Sequence, residues 1–123
     1  QLKQFSKIIL MGDFNITLDD RDVWDPISWA GQIHCTDEER AHLGALQGLG
    51  FVDAFRHVQP EAGRYSWWDY RQGALQRNLG LRIDHIYVSA AGVSHITDCW
   101  IDKAPRQQIR PSDHAPVVMQ IQL

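Results

Sequence analysis

The chain contains no run of about 18 apolar residues, so no segment of it reads as a membrane-spanning helix. Cysteine is scarce. Cys35 and Cys99 stand alone with no C-x-x-C spacing, which argues against a zinc knuckle or a redox pair and leaves two free buried thiols in a reducing compartment. His34 beside Cys35 lacks two further ligands at suitable spacing. There is no glycine-rich nucleotide loop, no serine elbow, no internal repeat and no low-complexity tract. Positive charge is not in excess: 12 Lys and Arg stand against 15 Asp and Glu, a net charge of −3. Bulk electrostatics therefore does not mark a nucleic-acid binder, although carboxylates that hold a metal would count against the total while serving an anionic substrate. Residues 16–25 carry Asp19, Asp20, Asp22 and Asp25 but lack the glycine and terminal glutamate of an EF-hand, so they read as a surface loop. The N-terminus has neither a Met nor a signal-peptide pattern, from which we expect a chain cut from something longer.

What is present is enough for one domain with a real core, since 123 residues bury about two-thirds of their unfolded surface. The apolar run Phe5–Met11 ends at Gly12 and reads as a buried strand. Pro26–Gly31 suits a helical turn. Thr36-Asp37-Glu38-Glu39 is a capping box that opens a helix running to about Leu49, with Leu43, Leu46 and Leu49 on one face and Gly50 as the stop. Phe51–His57 reads as a short helical or turn segment, and Tyr65–Tyr70, Leu81–Ser89, Val93–Ile101 and Ala115–Leu123 as strands. About five strands and one good helix make a mixed α/β layer structure. Several strands are apolar on both faces, while one helix covers only one face.

Three acidic stretches close or interrupt apolar runs: Gly12-Asp13-Phe14-Asn15, Arg82-Ile83-Asp84-His85 and Ser112-Asp113-His114. Taken singly, the first is also ordinary turn chemistry and the third a loop-to-strand turn with a surface imidazole. Asp84 is harder to dismiss, because an unpaired carboxylate in an apolar strand costs several kcal/mol. Asp113 and His114 are neighbours on extended backbone, point to opposite sides, and each needs a partner from elsewhere. Together the set suits phosphodiester hydrolysis, which requires a group to orient water, carboxylates for a divalent metal and donors for developing charge.

With Ser66-Trp67-Trp68-Asp69-Tyr70-Arg71 and Gly80-Leu81-Arg82-Ile83-Asp84 added, the four motifs resemble, in order and spacing, the exonuclease III family. These are abasic-site (AP) endonucleases of the wider endonuclease/exonuclease/phosphatase superfamily. The resemblance implies the C-terminal half of a four-layer α/β/β/α sandwich, with one mixed, mostly antiparallel sheet carrying helices on one face. It implies a Mg²⁺- or Mn²⁺-dependent DNA repair nuclease of the bacterial cytoplasm and nucleoid, with 3′→5′ exonuclease, AP endonuclease and 3′-phosphatase activities. Its substrate would be double-stranded DNA with abasic sites or 3′ ends.

By the same resemblance Asp13 positions or activates the attacking water and shares the metal with Asp113. Asn15 holds the scissile phosphate. Asp84 pairs with His114, which contacts the phosphate or assists proton transfer. Trp67 forms the wall of a pocket for a flipped, base-less sugar, with Leu81 and Ile83 as further lining, and Arg71 and Arg82 meet backbone phosphates. An N-terminal half would supply an Asn, a metal-binding Glu and a Tyr that this chain lacks, and without it the uncovered sheet face is expected to self-associate. Two other readings stand: a non-catalytic chain that binds DNA or a partner, and a superfamily phosphoesterase acting on another phosphate ester.

Overall fold

The computed structural model describes residues 5–123. Strand β1 (Ile9–Asp13) begins later than the apolar run that suggests it and includes Asp13. A 3₁₀ turn at Asp20–Asp22 and helix α1 (Pro26–Trp29) follow, the latter capped by the Asp25 side chain and started by a proline. Helix α2 (Asp37–Gly48) has the expected reciprocal cap, in which Glu39 N–H donates to the Thr36 hydroxyl and Thr36 N–H to the Glu39 carboxylate. Only Leu43 of its expected apolar face is buried; Leu49 lies at the helix end, 77 % exposed. The segment read as a helical turn divides into β2 (Phe51–Asp53) and α3 (Ala54–Val58), the latter capped by Asp53.

The Tyr65–Tyr70 strand shrinks to β3 (Trp67–Trp68), and Leu81–Ser89 splits into β4 (Gly80–Leu81) and β5 (Asp84–Ser89). Next come β6 (Ile96–Ile101), preceded by 3₁₀ turns over Ala90–His95, and β7 (Val117–Ile121). Pairing is antiparallel throughout, but the strands form three small sheets, β1-β5-β2, β3-β4 and β6-β7, where one was expected. The break at Arg82-Ile83 is the reason, because the chain leaves β3 there and joins β1 and β2 instead.

Directly paired residues share a face. Ile9, Met11 and Asp13 of β1 therefore lie with Val88, Ile86 and Asp84 of β5. On this face Ile86 and Val88 pack with Ala54, Phe55 and Cys99, and Val117 and Met119 of β7 close the cluster. Met11 remains 65 % exposed. The opposite face of β5 buries His85 and Tyr87, with Phe14 stacked over His85.

Beside them lies a group of buried ions. Arg82 (1 % exposed) donates to Asp22 (0 %) and Asp53 (3 %), and Arg56 also donates to Asp22. The loop read as surface thus contributes a fully buried carboxylate. Cys35 and Cys99 are free and buried, and burial pushes the Cys99 thiol up to about 12. Among the described residues no helix is long and apolar enough to cross a membrane.

Candidate active site

The register of β1 on β5 places Asp13 opposite Asp84, so two carboxylates residing far apart in sequence stand side by side at one end of the ladder. Like-charged cross-strand neighbours are unfavourable unless something offsets them. His114 does so. Its Nδ1 lies 2.8 Å from Asp84 Oδ2, its Nε2 3.6 Å from Asp13 Oδ2 and 3.9 Å from Asp113 Oδ1. Burial alone would lower the His114 pKa, but the hydrogen bond with Asp84 and the charges of Asp84, Asp13 and Asp113 hold it above its ordinary value.

Asp13 is oriented locally. Asn15 takes the left-handed conformation (φ 56°), which asparagine tolerates, and its N–H donates to Asp13 Oδ1 at 2.9 Å. The Asn15 carbonyl in turn accepts from His34 Nδ1. His34 itself sits at φ 75°, an unusual conformation for a residue other than glycine. Sequence patterns gave no sign that His34 buttresses this turn, since its left-handed backbone leaves no periodic trace.

The loop carrying His114 is tied to β3 by an isolated bridge between Trp67 and His114 and by Trp68 N–H donating to the Asp113 carbonyl at 3.2 Å. The Trp67 indole Nε1–H donates to Asp113 Oδ2 at 3.0 Å. Asp113, expected at the metal, therefore spends one oxygen on tryptophan and keeps the other near His114. The group whose ligand atoms all lie within 4.8 Å of one another is Asp13, Asp84 and His114. A hard divalent cation takes oxygen ligands and keeps several waters, and the paired carboxylates at the mouth of a cleft of about 430 Å³ suit that donor requirement. Met11, Ile86, Pro116 and Val117 supply the cleft's apolar wall.

Other expected residues fall elsewhere. Leu81 (0 % exposed) and Ile83 (2 %) do not line an open pocket: they are packed beneath Val23, Trp29, Cys35 and Trp67. A smaller groove of about 270 Å³, bounded by Trp24, Trp29, Trp67, Leu79 and Arg71, lies alongside. Arg82 is not available to a phosphate, because its guanidinium is sealed between Asp22 and Asp53. Arg71 is exposed and paired with Asp69 at 2.8 Å, which lowers the Asp69 carboxyl to about 2. His85, next to Asp84 in sequence, points to the other face. It contacts the Ile16 carbonyl through Nε2 at 2.6 Å, and burial followed by the Arg82 charge lowers its pKa, so it is neutral.

Residues 5–114 match the model of the endonuclease/exonuclease/phosphatase family. An exodeoxyribonuclease of Bacillus subtilis is 38 % identical over 124 aligned positions, covering 100 % of this chain and 48 % of that protein. The structure of a Neisseria 3′ phosphatase bound to a product DNA hairpin superposes with a TM-score of 0.95 at 43 % identity, over 99 % of this chain and 48 % of that one. An AP endonuclease from Archaeoglobus fulgidus superposes with a TM-score of 0.89 at 32 % identity, over 95 % and 46 %. The chain spans about half the length of the relatives it matches.

Proposed function

Because the chain belongs to the endonuclease/exonuclease/phosphatase family, we propose that it carries part of the site of a DNA repair nuclease of the exonuclease III type. In this reading residues 1–123 form the C-terminal half of the domain. The enzyme hydrolyses phosphate esters of double-stranded DNA with Mg²⁺ or Mn²⁺. The observation that carries the reading is the convergence of Asp13, Asp84 and His114 at one ladder end.

Each group then has a task that its surroundings suit. Asp13, held by the Asn15 amide, orients a water toward phosphorus and draws its proton. His114, kept above its ordinary pKa and aimed by Asp84, donates from Nε2 to a phosphate oxygen. The Asn15 side chain offers a neutral donor to the same phosphate. Trp67, its indole fixed by Asp113, gives the sugar a flat apolar wall, and Arg71 reaches the backbone. A bound divalent cation, held by Asp13 and Asp84 or Asp113, supplies neutralisation of charge that builds up on the phosphate.

Asp13→Asn tests this. Hydrolysis of a duplex with recessed 3′ ends falls by about 10²–10⁴-fold while DNA binding is retained; unchanged hydrolysis refutes the role of Asp13. With Leu81 and Ile83 buried, the groove beside Trp67 is where the sugar of a 3′ end or of an abasic site would lie. Side-by-side rates on a 3′-phosphate duplex and an abasic duplex distinguish the two. The apolar face at Ile9 and Met11 supports self-association of the chain, which light scattering reads.

A further inference from the structure

Asp84 and His114 are 30 residues apart, yet their side chains meet at 2.8 Å. Among the described residues no ladder joins β5 to β7, and the two segments are linked through the chain around β3, which pairs with β4 and bridges to His114 at Trp67. The region between them is occupied by Ser66, which is fully buried and takes no part in the chemistry outlined above.

Ser66 uses its polar atoms in both directions. At the break between β4 and β5 the chain has left β3, and Asp84, opposite Asp13, is the first residue of β5 to pair with β1. The Ser66 Oγ accepts two hydrogen bonds here, from Ile83 N–H at 3.0 Å and from Asp84 N–H at 3.1 Å. A hydroxyl oxygen has two lone pairs, and both are used. On its other side the Ser66 carbonyl accepts from Ala115 N–H at 2.7 Å, the residue following His114. Its own N–H donates to the Leu81 carbonyl at 3.0 Å, which anchors it to β4. One residue thus fastens the backbone under Asp84 and the backbone beside His114.

We propose that Ser66 is a positioning residue, whose hydroxyl and carbonyl set the Asp84 carboxylate and the His114 imidazole at hydrogen-bonding distance. The proposal rests on the reading of Asp84 and His114 as a working pair. Alanine at this position leaves two buried amides without an acceptor, and the start of β5 shifts to satisfy them. The shift moves Asp84 away from the imidazole.

The test is NMR on the full chain labelled with ¹⁵N-histidine, reading the hydrogen-bonded His114 Nδ1–H resonance, together with hydrogen exchange at the Ile83 and Asp84 amides. In Ser66→Ala the resonance broadens into exchange with water and both amides lose protection. Ser66→Cys, nearly isosteric with a weaker acceptor, does so to a lesser degree and serves if the alanine variant does not fold. Cys99→Ala, a cavity in the cluster behind the cleft that removes no hydrogen bond to Asp84 or His114, keeps the resonance. On DNA, kcat falls by about 10–100-fold with KM little changed, as a misplaced catalytic group predicts. Parent-like spectra for both Ser66 variants overturn the proposal, and so does equal loss of the signal in Cys99→Ala. A parent protein carrying the complete domain that hydrolyses no DNA refutes the nuclease reading but leaves the spectral result to decide the role of Ser66.

Discussion

Replacing Arg82 with methionine separates a phosphate contact from a structural ion. The side chain is 1 % exposed, with Nε 2.7 Å from Asp22 Oδ1 and a second guanidinium nitrogen on Asp53. Methionine fills much of the volume but leaves Asp53 without its cation, whereas Asp22 retains Arg56. Breaking a buried pair by removing one partner costs roughly 3–5 kcal/mol, because the remaining charge stays out of water. A domain of this size is stable by about 5–15 kcal/mol, so the loss is large but survivable. With an m-value near ~2 kcal/mol/M, the urea midpoint falls by about 2 M.

The pH dependence gives a second check. In the parent, burial opposes ionisation of Asp53, but the Arg82 charge and hydrogen bond keep its pKa below 3.8. That stabilisation is present above the unfolded-state value and is lost as pH falls through the folded-state value. In Arg82→Met the same carboxyl keeps the Arg56 N–H but loses the cation that offset its burial, so its pKa rises and its penalty is relieved on acidification. The stability gap between parent and variant is therefore widest near neutral pH and narrows toward acid. A loss below about 1 kcal/mol accompanied by weaker DNA binding refutes the buried-ion account and restores Arg82 as a phosphate contact.

Three further outcomes follow from the same geometry. The NMR titration midpoint of His114 lies above 6.5, so the stability its charged form lends is complete below that value and fades as pH rises through the midpoint; Asp84→Asn brings the midpoint down. Arg71→Ala leaves stability within about 1 kcal/mol, because its pair with Asp69 is at the surface, but lowers the salt slope of DNA binding by about one. Gly80→Ala is severely destabilising in thermal melts, since a Cβ there would sit 2.6 Å from the Trp68 indole nitrogen, 2.7 Å from Tyr65 Cβ and 2.8 Å from the Trp67 carbonyl.

What was legible in the sequence follows from how local the determining interactions are. The capping box of α2 is satisfied within four residues, and it forms as read. Asp84 stood out because a carboxylate in an apolar strand demands a partner, and His114 is that partner. Arg82 was misjudged because its partners lie 60 and 29 residues away, in a loop that looked solvated and at a strand end that looked helical. Leu81 and Ile83 carry no local sign of Val23, Trp29 and Cys35, distant in sequence, that cover them. Periodicity reads the face of a strand, but it does not register a break such as Arg82-Ile83, where the chain changes sheets.

The weak net charge also acquires a physical reading. Asp22, Asp53, Arg56 and Arg82 are buried together and cancel, so this group contributes nothing to the chain's net −3. Asp13, Asp84 and Asp113 then confront an incoming phosphate with three carboxylates and a single imidazole. Unit charges about 4 Å apart near a protein surface interact by roughly 4 kcal/mol, so this cluster by itself repels an anionic ligand. The raised pKa of His114 offsets only part of that repulsion. A divalent cation held by these carboxylates would cancel the charge that His114 leaves unbalanced, and on the proposed reading that neutralisation would make an acidic chain compatible with a polyanionic substrate. Net charge measures the attraction of the whole surface, whereas binding at this site depends on a local balance that the sequence total does not resolve.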